Sequence, residues 1–425
     1  MKTKRILLYI AFIISGKLSA QSNDDLLNIL VKKGVVTQKD ADSLRADNAT
    51  KEKSEKFKPH GKLWGQVISD VVYKDHRDSA GRGTGGNLQY AGMAKDSSAL
   101  DIRRVFFGYD FDISEKFSVE FLLAHESTTD VLTGGNRGLY IRLANLRWKN
   151  IYKNADLVVG QTNSPTFNLT TDKVWGYRFV ERSIADQRKL GTSNDVGVLL
   201  QGTFDKDANY GYNFMVGNGT GPKPEIDKFK KLYGDVHGIF WNKKIFIDLY
   251  GDYERTSDAP RYHQSKSTYK ITVAYQSDQI TAGVELVEQK QQNAVRYTTT
   301  NTIGAVRDTA DALVFGVSAY VRGTILKDKL AAFFRYDSYN PDKNFNASNF
   351  YTTSVYDGKS TGSILQTFIT GGIDYTPIKA VHIIPNVWYN QFKGRNDGYQ
   401  TIKNGSSLKN DYDLVYRITI AYTFK

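Results

Sequence analysis

Six histidines, at positions 60, 76, 125, 237, 263 and 382, are the side chains best suited to proton transfer or metal binding. No two of them stand at the i, i+4 spacing that lets one helix face hold zinc. Two have a carboxylate beside them, His76 after Asp75 and His125 before Glu126. His60, His76, His125, His237, His263 and His382 therefore read as polar residues of a rim or a wet interior, not as a metal centre or a general base. A hydrolytic triad gathered from distant strands stays open, because sequence spacing does not limit it. Cysteine is absent, which removes thiol catalysis, thiolate metal sites and disulfides. Gly81, Gly83 and Gly86 spell G-x-G-x-x-G, but no strand–helix unit surrounds them. They read as a flexible connection, and no cofactor is expected.

One other stretch has the composition of a site. Residues 175–190 mix Trp175, Tyr177, Phe179, Val180, Ile184 and Leu190 with Arg178, Arg182, Arg188 and Lys189. A water-exposed loop has no use for so much apolar surface. A loop that folds back can pack its apolar side on a wall and aim its charges at whatever passes. The whole connection, 162–193, holds five basic and three acidic residues, so its charge is mildly positive.

The elements that would carry this loop have a period of two. In 244–255, Ile245, Ile247, Leu249 and Tyr253 oppose Asp248, Asp252 and Glu254. In 279–288, Ile280, Ala282, Val284 and Leu286 oppose Thr281, Gly283 and Glu285. Sixteen such segments are expected: 62–73, 99–111, 117–126, 139–149, 155–161, 194–204, 209–217, 231–241, 244–255, 268–276, 279–289, 312–323, 329–339, 366–376, 380–392 and 412–424. Their junctions are short and long in strict alternation, as in a tube with two unlike rims. The apolar faces carry no charge, which lipid demands, and Trp64, Trp148, Trp241 and Trp388 fall near strand ends, where interfacial girdles sit. The expected fold is all-β: a 16-stranded antiparallel transmembrane β-barrel with a short N-terminal helical segment. Pro385 interrupts the fifteenth strand and predicts a bulge there.

Residues 1–20 read as a signal peptide, with Lys2, Lys4 and Arg5 before the apolar run 6–15 and Ser19-Ala20 before a cut at Gln21. Residues 21–58 form the expected periplasmic segment. Leu26, Leu27, Leu30 and Val31 mark one helix that Gly34 ends, and Thr37 with Asp40 opens a second. The polar run 49–58 reads as a solvated tether, and the barrel occupies 59–425. Of 57 basic residues the leader holds four, leaving 53 against 45 acidic, too even a balance for nucleic acid. After the leader no apolar run is long enough for a membrane helix.

The stretch Val159-Gly160-Gln161, Pro165-Thr166-Phe167, Glu181-Arg182-Ser183, Asp195-Val196-Gly197 and Gln201-Gly202 resembles the phosphate-selective porin O and P family. Phe334-Arg335-Tyr336-Asp337 and Gly371-Gly372-Ile373-Asp374-Tyr375 are similar to later strands of its Bacteroidetes-like members. That resemblance implies a sixteen-stranded, trimeric barrel in a Gram-negative outer membrane, with the loop after the fifth strand lining the pore. It implies passive passage of small solutes such as phosphate and other anions, and no enzymatic step. The expected partners are outer-membrane lipid and lipopolysaccharide, the barrel-assembly machinery, and two further copies of the chain. The constriction residues expected on this basis are Trp175, Tyr177, Arg178, Arg182, Arg188 and Lys189, with Glu181 as a counter-charge. The alternative is a barrel enzyme or adhesin with a blocked lumen. A soluble secreted carbohydrate-binding domain is the third reading.

Overall fold

The computed structural model describes residues 23–79, 81, 88–126, 132–133, 136–259, 262–301, 304–345, 364–394 and 410–425, so the expected leader lies outside the described residues. The chain divides into two compact units, Met1–His60 and Gly61–Lys425. In the first, α1 (Asn23–Lys32) ends before Gly34, whose φ of 67° suits a residue without Cβ. Thr37 then caps α2 (Gln38–Lys56), its Oγ1 accepting from the Asp40 amide at 3.2 Å. The helix continues through 49–56, where a tether was expected, because Lys and Glu are strong helix formers even when no apolar stripe guides them.

The second unit is a closed antiparallel barrel of sixteen strands. They are β1 (His60–His76), β2 (Ser97–Asp112), β3 (Phe117–Glu126), β6 (Tyr140–Tyr152), β7 (Ala155–Asn163), β8 (Asn194–Thr203), β9 (Tyr210–Gly217), β10 (Lys231–Phe240), β11 (Ile245–Ala259), β12 (Tyr262–Gln276), β13 (Ile280–Asn301), β14 (Gly304–Leu326), β15 (Leu330–Asn340), β16 (Ile364–Ile378), β17 (Val381–Gly394) and β18 (Asp411–Phe424). A two-stranded ribbon, β4 (Leu132–Thr133) with β5 (Asn136–Arg137), stands apart from the wall. Each barrel strand pairs with its chain neighbour, and β1 meets β18 from Gly65 opposite Phe424 to His76 opposite Leu414. Closure pairs both edges of the barrel wall.

Alternation sorts the side chains as the period of two requires. Leu249, Val284, Leu286, Ile418 and Phe334 are exposed on the outside. Asp248, Asp252, Glu285, Asp413 and Arg417 point inward and are buried. The seven short connectors are built from turn chemistry. Trp241, Asn242 and Lys243 all have φ between 49° and 63°, and Asp205 accepts from the amides of Asn209 and Tyr210.

Three expectations change. β13 and β14 run to 22 and 23 residues, well past the expected 289 and 312. The ladder is made by main-chain groups and persists to Asn301 opposite Gly304, after the alternation in the sequence has stopped. At Pro385 no bulge forms: β17 keeps one register against β18 throughout, and against β16 from Asn386 to Ile383. The missing donor instead interrupts the β16 pairing without adding a residue. A Cβ on Gly372, which stands opposite Asn386, would lie 2.5 Å from the Pro385 carbonyl oxygen, so a glycine is needed there. Trp388 is no girdle residue; it points inward and is 1 % exposed. Trp148 and Trp241 do stand outside at strand ends.

Candidate pore constriction

The connection between β7 and β8 crosses the barrel interior. It contains two short helical turns, α3 (Thr171–Trp175) and α4 (Ile184–Gln187), and its apolar side fills the space beside the wall. Val174, Trp175, Tyr177 and Val180 pack with Phe246, Tyr320, Phe333 and Ile384, while Phe167, Ile184 and Leu190 pack with Val287, Val314 and Tyr339. The Tyr177 ring stacks on Phe333 with centroids 4.3 Å apart. The inner wall is thus apolar where the loop covers it, as a loop packing its apolar side on the wall requires. A second connection joins in: Leu88 and Ala91, between β1 and β2, pack with Val72, Phe368, Trp388 and Phe392.

An extended crossing segment needs partners for its carbonyls. Barrel arginines supply them in succession. Arg104 Nη1 donates to the Arg178 carbonyl at 2.8 Å, and Arg103 Nη2 to that of Phe179 at 2.5 Å. Arg417 Nη2 donates to Val180 O at 3.3 Å, and Arg335 Nη1 donates to Arg182 O. Each guanidinium keeps a second partner on the wall. Arg103 pairs with Asp70 at 2.5 Å, Arg335 with Asp337 at 2.5 Å, and Arg104 with Glu126 at 3.3 Å; Arg417 Nε donates to Asn386 Oδ1 at 2.9 Å.

The seven expected constriction residues separate into two groups. Trp175, Tyr177, Glu181 and Arg188 are anchors. The Trp175 indole donates to the Glu181 carbonyl at 2.8 Å. Tyr177 Oη donates to Asp374 at 3.3 Å, and burial, with that carboxylate adding to it, pushes the phenol up. Glu181 is fully buried and accepts from Trp388 Nε1 at 2.8 Å, from Gln89 Nε2 at 3.0 Å and from the Arg182 amide at 2.9 Å. Arg188 donates to Gln366 and Asn390 and lies 4.8 Å over the Tyr339 ring.

Arg178, Arg182 and Lys189 instead line a cavity of about 670 Å³ between the loop and the wall of β3 to β13. Arg178 meets Asp172 and Asp186, each at 2.6 Å. Burial works against its charge, but the two carboxylates more than offset that and hold the guanidinium above the ordinary arginine range. Lys189 is exposed, on a left-handed φ of 55°. The remaining lining includes Glu126, Tyr140, Lys223, Lys231, Glu254 and Lys266, so the cavity carries six basic residues against three acidic ones. Lys223, Lys231 and Lys266 were missed, as were the clamping arginines. Lys231 sits on the inward period of β10, opposite Glu254, and that alternation was the available signal.

No family model matches the chain, and no curated protein matches it. Solved structures do. An anion-selective porin from Comamonas acidovorans aligns over 86% of this chain and 100% of its own, with 12% identity and a TM-score of 0.54. OmpF of Salmonella typhi in complex with daunomycin aligns over 86% and 97%, with 10% identity and a TM-score of 0.53. In-vitro folded OmpT of Vibrio cholerae, an outer-membrane protein in its trimer form, aligns over 87% and 100%, with 11% identity and a TM-score of 0.51. At such identities the likeness is one of fold: this chain has the sixteen-stranded barrel architecture of outer-membrane porins.

Proposed function

We propose that the protein is an outer-membrane porin, a water-filled channel through which small solutes diffuse passively, with a preference for anions. The observation that carries this reading is the closed barrel with an apolar outside and, within it, a charged cavity bounded by an inward-folded loop. A wall with exposed Leu249, Phe334 and Ile418 on its outside suits acyl chains and would be costly in water. The excess of basic over acidic residues around the cavity supports anion preference, and Arg178, Arg182 and Lys189 are the loop residues that would meet the solute. Trp175, Tyr177, Glu181 and Arg188 would hold that constriction in place.

Phosphate as a favoured solute, and membership of the phosphate-selective O and P group, rest on the sequence motifs. A homotrimer draws support from the trimeric barrel that this chain resembles. Removal of residues 1–20, a periplasmic place for α1 and α2, contacts with lipopolysaccharide and delivery by the barrel-assembly machinery complete the proposal. No chemical step is needed for this function. The test is the zero-current potential of the purified protein in planar bilayers under a salt gradient; cation preference overturns the anion reading. A blocked lumen is the second reading, favoured by the packing of both inward connections against the wall from β11 to β18 and β1. Protein that inserts without conductance would establish it.

A further inference from the structure

On the lumen face of β10 to β13, one lateral row of residues is rich in oxygen ligands. His237 faces Asp248 across β10 and β11, Asp248 faces Thr272 across β11 and β12, and Thr272 faces Glu285 across β12 and β13. Asp235, two residues before His237, shares its face, and its Oδ1 lies 2.7 Å from His237 Nδ1. Asp235, His237 and Asp248 each present one ligand atom, all within 4.8 Å of one another.

Two further observations point to a missing partner. Asp248 Oδ1, Thr272 Oγ1 and Glu285 Oε1 are buried side-chain oxygens without a hydrogen bond, on three adjacent strands of this one row. The charges also fail to balance. Asp235, Asp248, Glu285 and Asp337 are almost wholly buried and share two cations: Lys270, whose Nζ donates to Asp248 Oδ2 at 2.6 Å, and Arg335, which pairs with Asp337 and also acts on Glu285. With all four carboxylates ionised and His237 neutral, two negative charges remain, and buried charge of that kind is offset by protons or by a bound cation. Lys231, nearby, pairs with Asp252 at 2.9 Å.

We infer that Asp235, His237 and Asp248 form a binding site for one divalent transition cation of the zinc class, with Thr272 and Glu285 beside it. An imidazole among carboxylates suits Zn²⁺, Co²⁺ or Ni²⁺ better than Mg²⁺ or Ca²⁺, which take oxygen alone. Bonds of about 2.0–2.2 Å require ligand atoms about 3.3 Å apart, so side-chain shifts of about 1 Å complete the site. The neighbours already orient the ligands. Asn213 Nδ2 donates to Asp235 Oδ2 at 2.8 Å, and Lys270 holds the second oxygen of Asp248. Gly211 makes room for the ring, since a Cβ there would lie 2.6 Å from His237 Nε2. The site lies four residues before the short turn 241–244, on the rim opposite the long connections. Its cation would neutralise the acidic wall and tie β10 to β11.

The test uses the full-length protein in detergent, stripped with chelator and titrated calorimetrically with Zn²⁺ near neutral pH, alongside Co²⁺ followed by its visible absorption. One equivalent of Zn²⁺ per chain is expected, with a Co²⁺ spectrum that Zn²⁺ quenches and no comparable binding of Mg²⁺. His237→Gln and Asp248→Asn should each weaken binding at least about tenfold. His263→Gln, on an exposed histidine outside the row, should leave it unchanged. Heat-dependent gel migration shows that the variants have folded, and the Co²⁺ spectrum of the unmodified chain stands whether or not they do. No stoichiometric Zn²⁺ on the unmodified protein overturns the inference. So do equal affinity in the two folded variants and Mg²⁺ binding as strong as Zn²⁺.

Discussion

Reversing two cavity charges should reverse the channel's ion preference. Lys189 and Lys223 are both exposed and both line the cavity, so Lys189→Glu with Lys223→Glu alters its field with little risk to packing. Six basic and three acidic side chains give the lining a net charge of +3, which the double change takes to −1. A cavity of about 670 Å³ keeps an ion about 5–7 Å from its charged walls. In water one unit charge at that distance is worth about 0.6 kcal/mol, and 0.1 M salt reduces it to about 0.3 kcal/mol. Three net charges then favour a monovalent anion by about 1 kcal/mol, or roughly fivefold over bulk, and disfavour a cation equally. The double variant should favour cations by about 0.3 kcal/mol, less than twofold. The assay is the zero-current potential under a tenfold potassium chloride gradient, which should change sign. An unchanged sign and size would mean that ions do not pass through this cavity, and the assignment of the constriction would fall.

Four other perturbations test the scaffold. Glu181→Gln presents an amide to Trp388, Gln89 and the Arg182 amide, three donors; it should cost about 2–3 kcal/mol, seen as a lower unfolding temperature on heat-modifiability gels. Arg335→Lys keeps the charge but not the fork that joins Asp337 to the Arg182 carbonyl. Expect noisier single-channel currents and unaltered ion selectivity; altered selectivity with quiet currents would count against the clamp. Phe334→Lys puts a charge on the outer face and should cost about 2–4 kcal/mol in vesicles, measured by urea titration, whereas a water-exposed surface would tolerate it. Gly160→Ala sets a Cβ 2.4 Å from the Ala144 carbonyl oxygen at a φ of 120°; it should cost at least about 3 kcal/mol and lower the folded yield.

The barrel was legible because lipid and water impose opposite demands on alternate residues of every strand. All sixteen expected segments overlap an observed strand. Legibility stopped where that contrast stopped. Past the belt, 290–301 and 304–311 continue as a ribbon with no change of environment to mark it. The inward loop was legible from its composition, since Trp175, Tyr177 and Val180 demand cover. Its division of labour was not. Nothing in the spacing of Arg182 and Arg188 says that one lines a cavity while the other reaches Gln366 and Asn390, 178 and 202 positions away. The neighbours of His237 were not legible from the spacings considered. A search for helical pairs and adjacent carboxylates passes over Asp-x-His, yet in a strand the i, i+2 spacing of Asp235 and His237 puts both on one face.

The clamping arginines bear on where solutes could travel. A loop carried across a barrel exposes carbonyls that its own short turns do not satisfy. A guanidinium, with five donors in a rigid fork, can bind such a carbonyl and a wall carboxylate at once, which an ammonium does less well. Arg103 and Arg335 do this, joining Asp70 to Phe179 and Asp337 to Arg182. Their charge is therefore committed on both sides. These arginines, with the apolar clusters beside them, hold the loop against β11 to β18, β1 and β2. Across the loop the cavity is lined by Lys189, Lys223 and Lys266, the last opposite Glu254. A passage through this barrel would thus follow the cavity that Lys189, Lys223 and Lys266 line, and lysines more than arginines would set its selectivity.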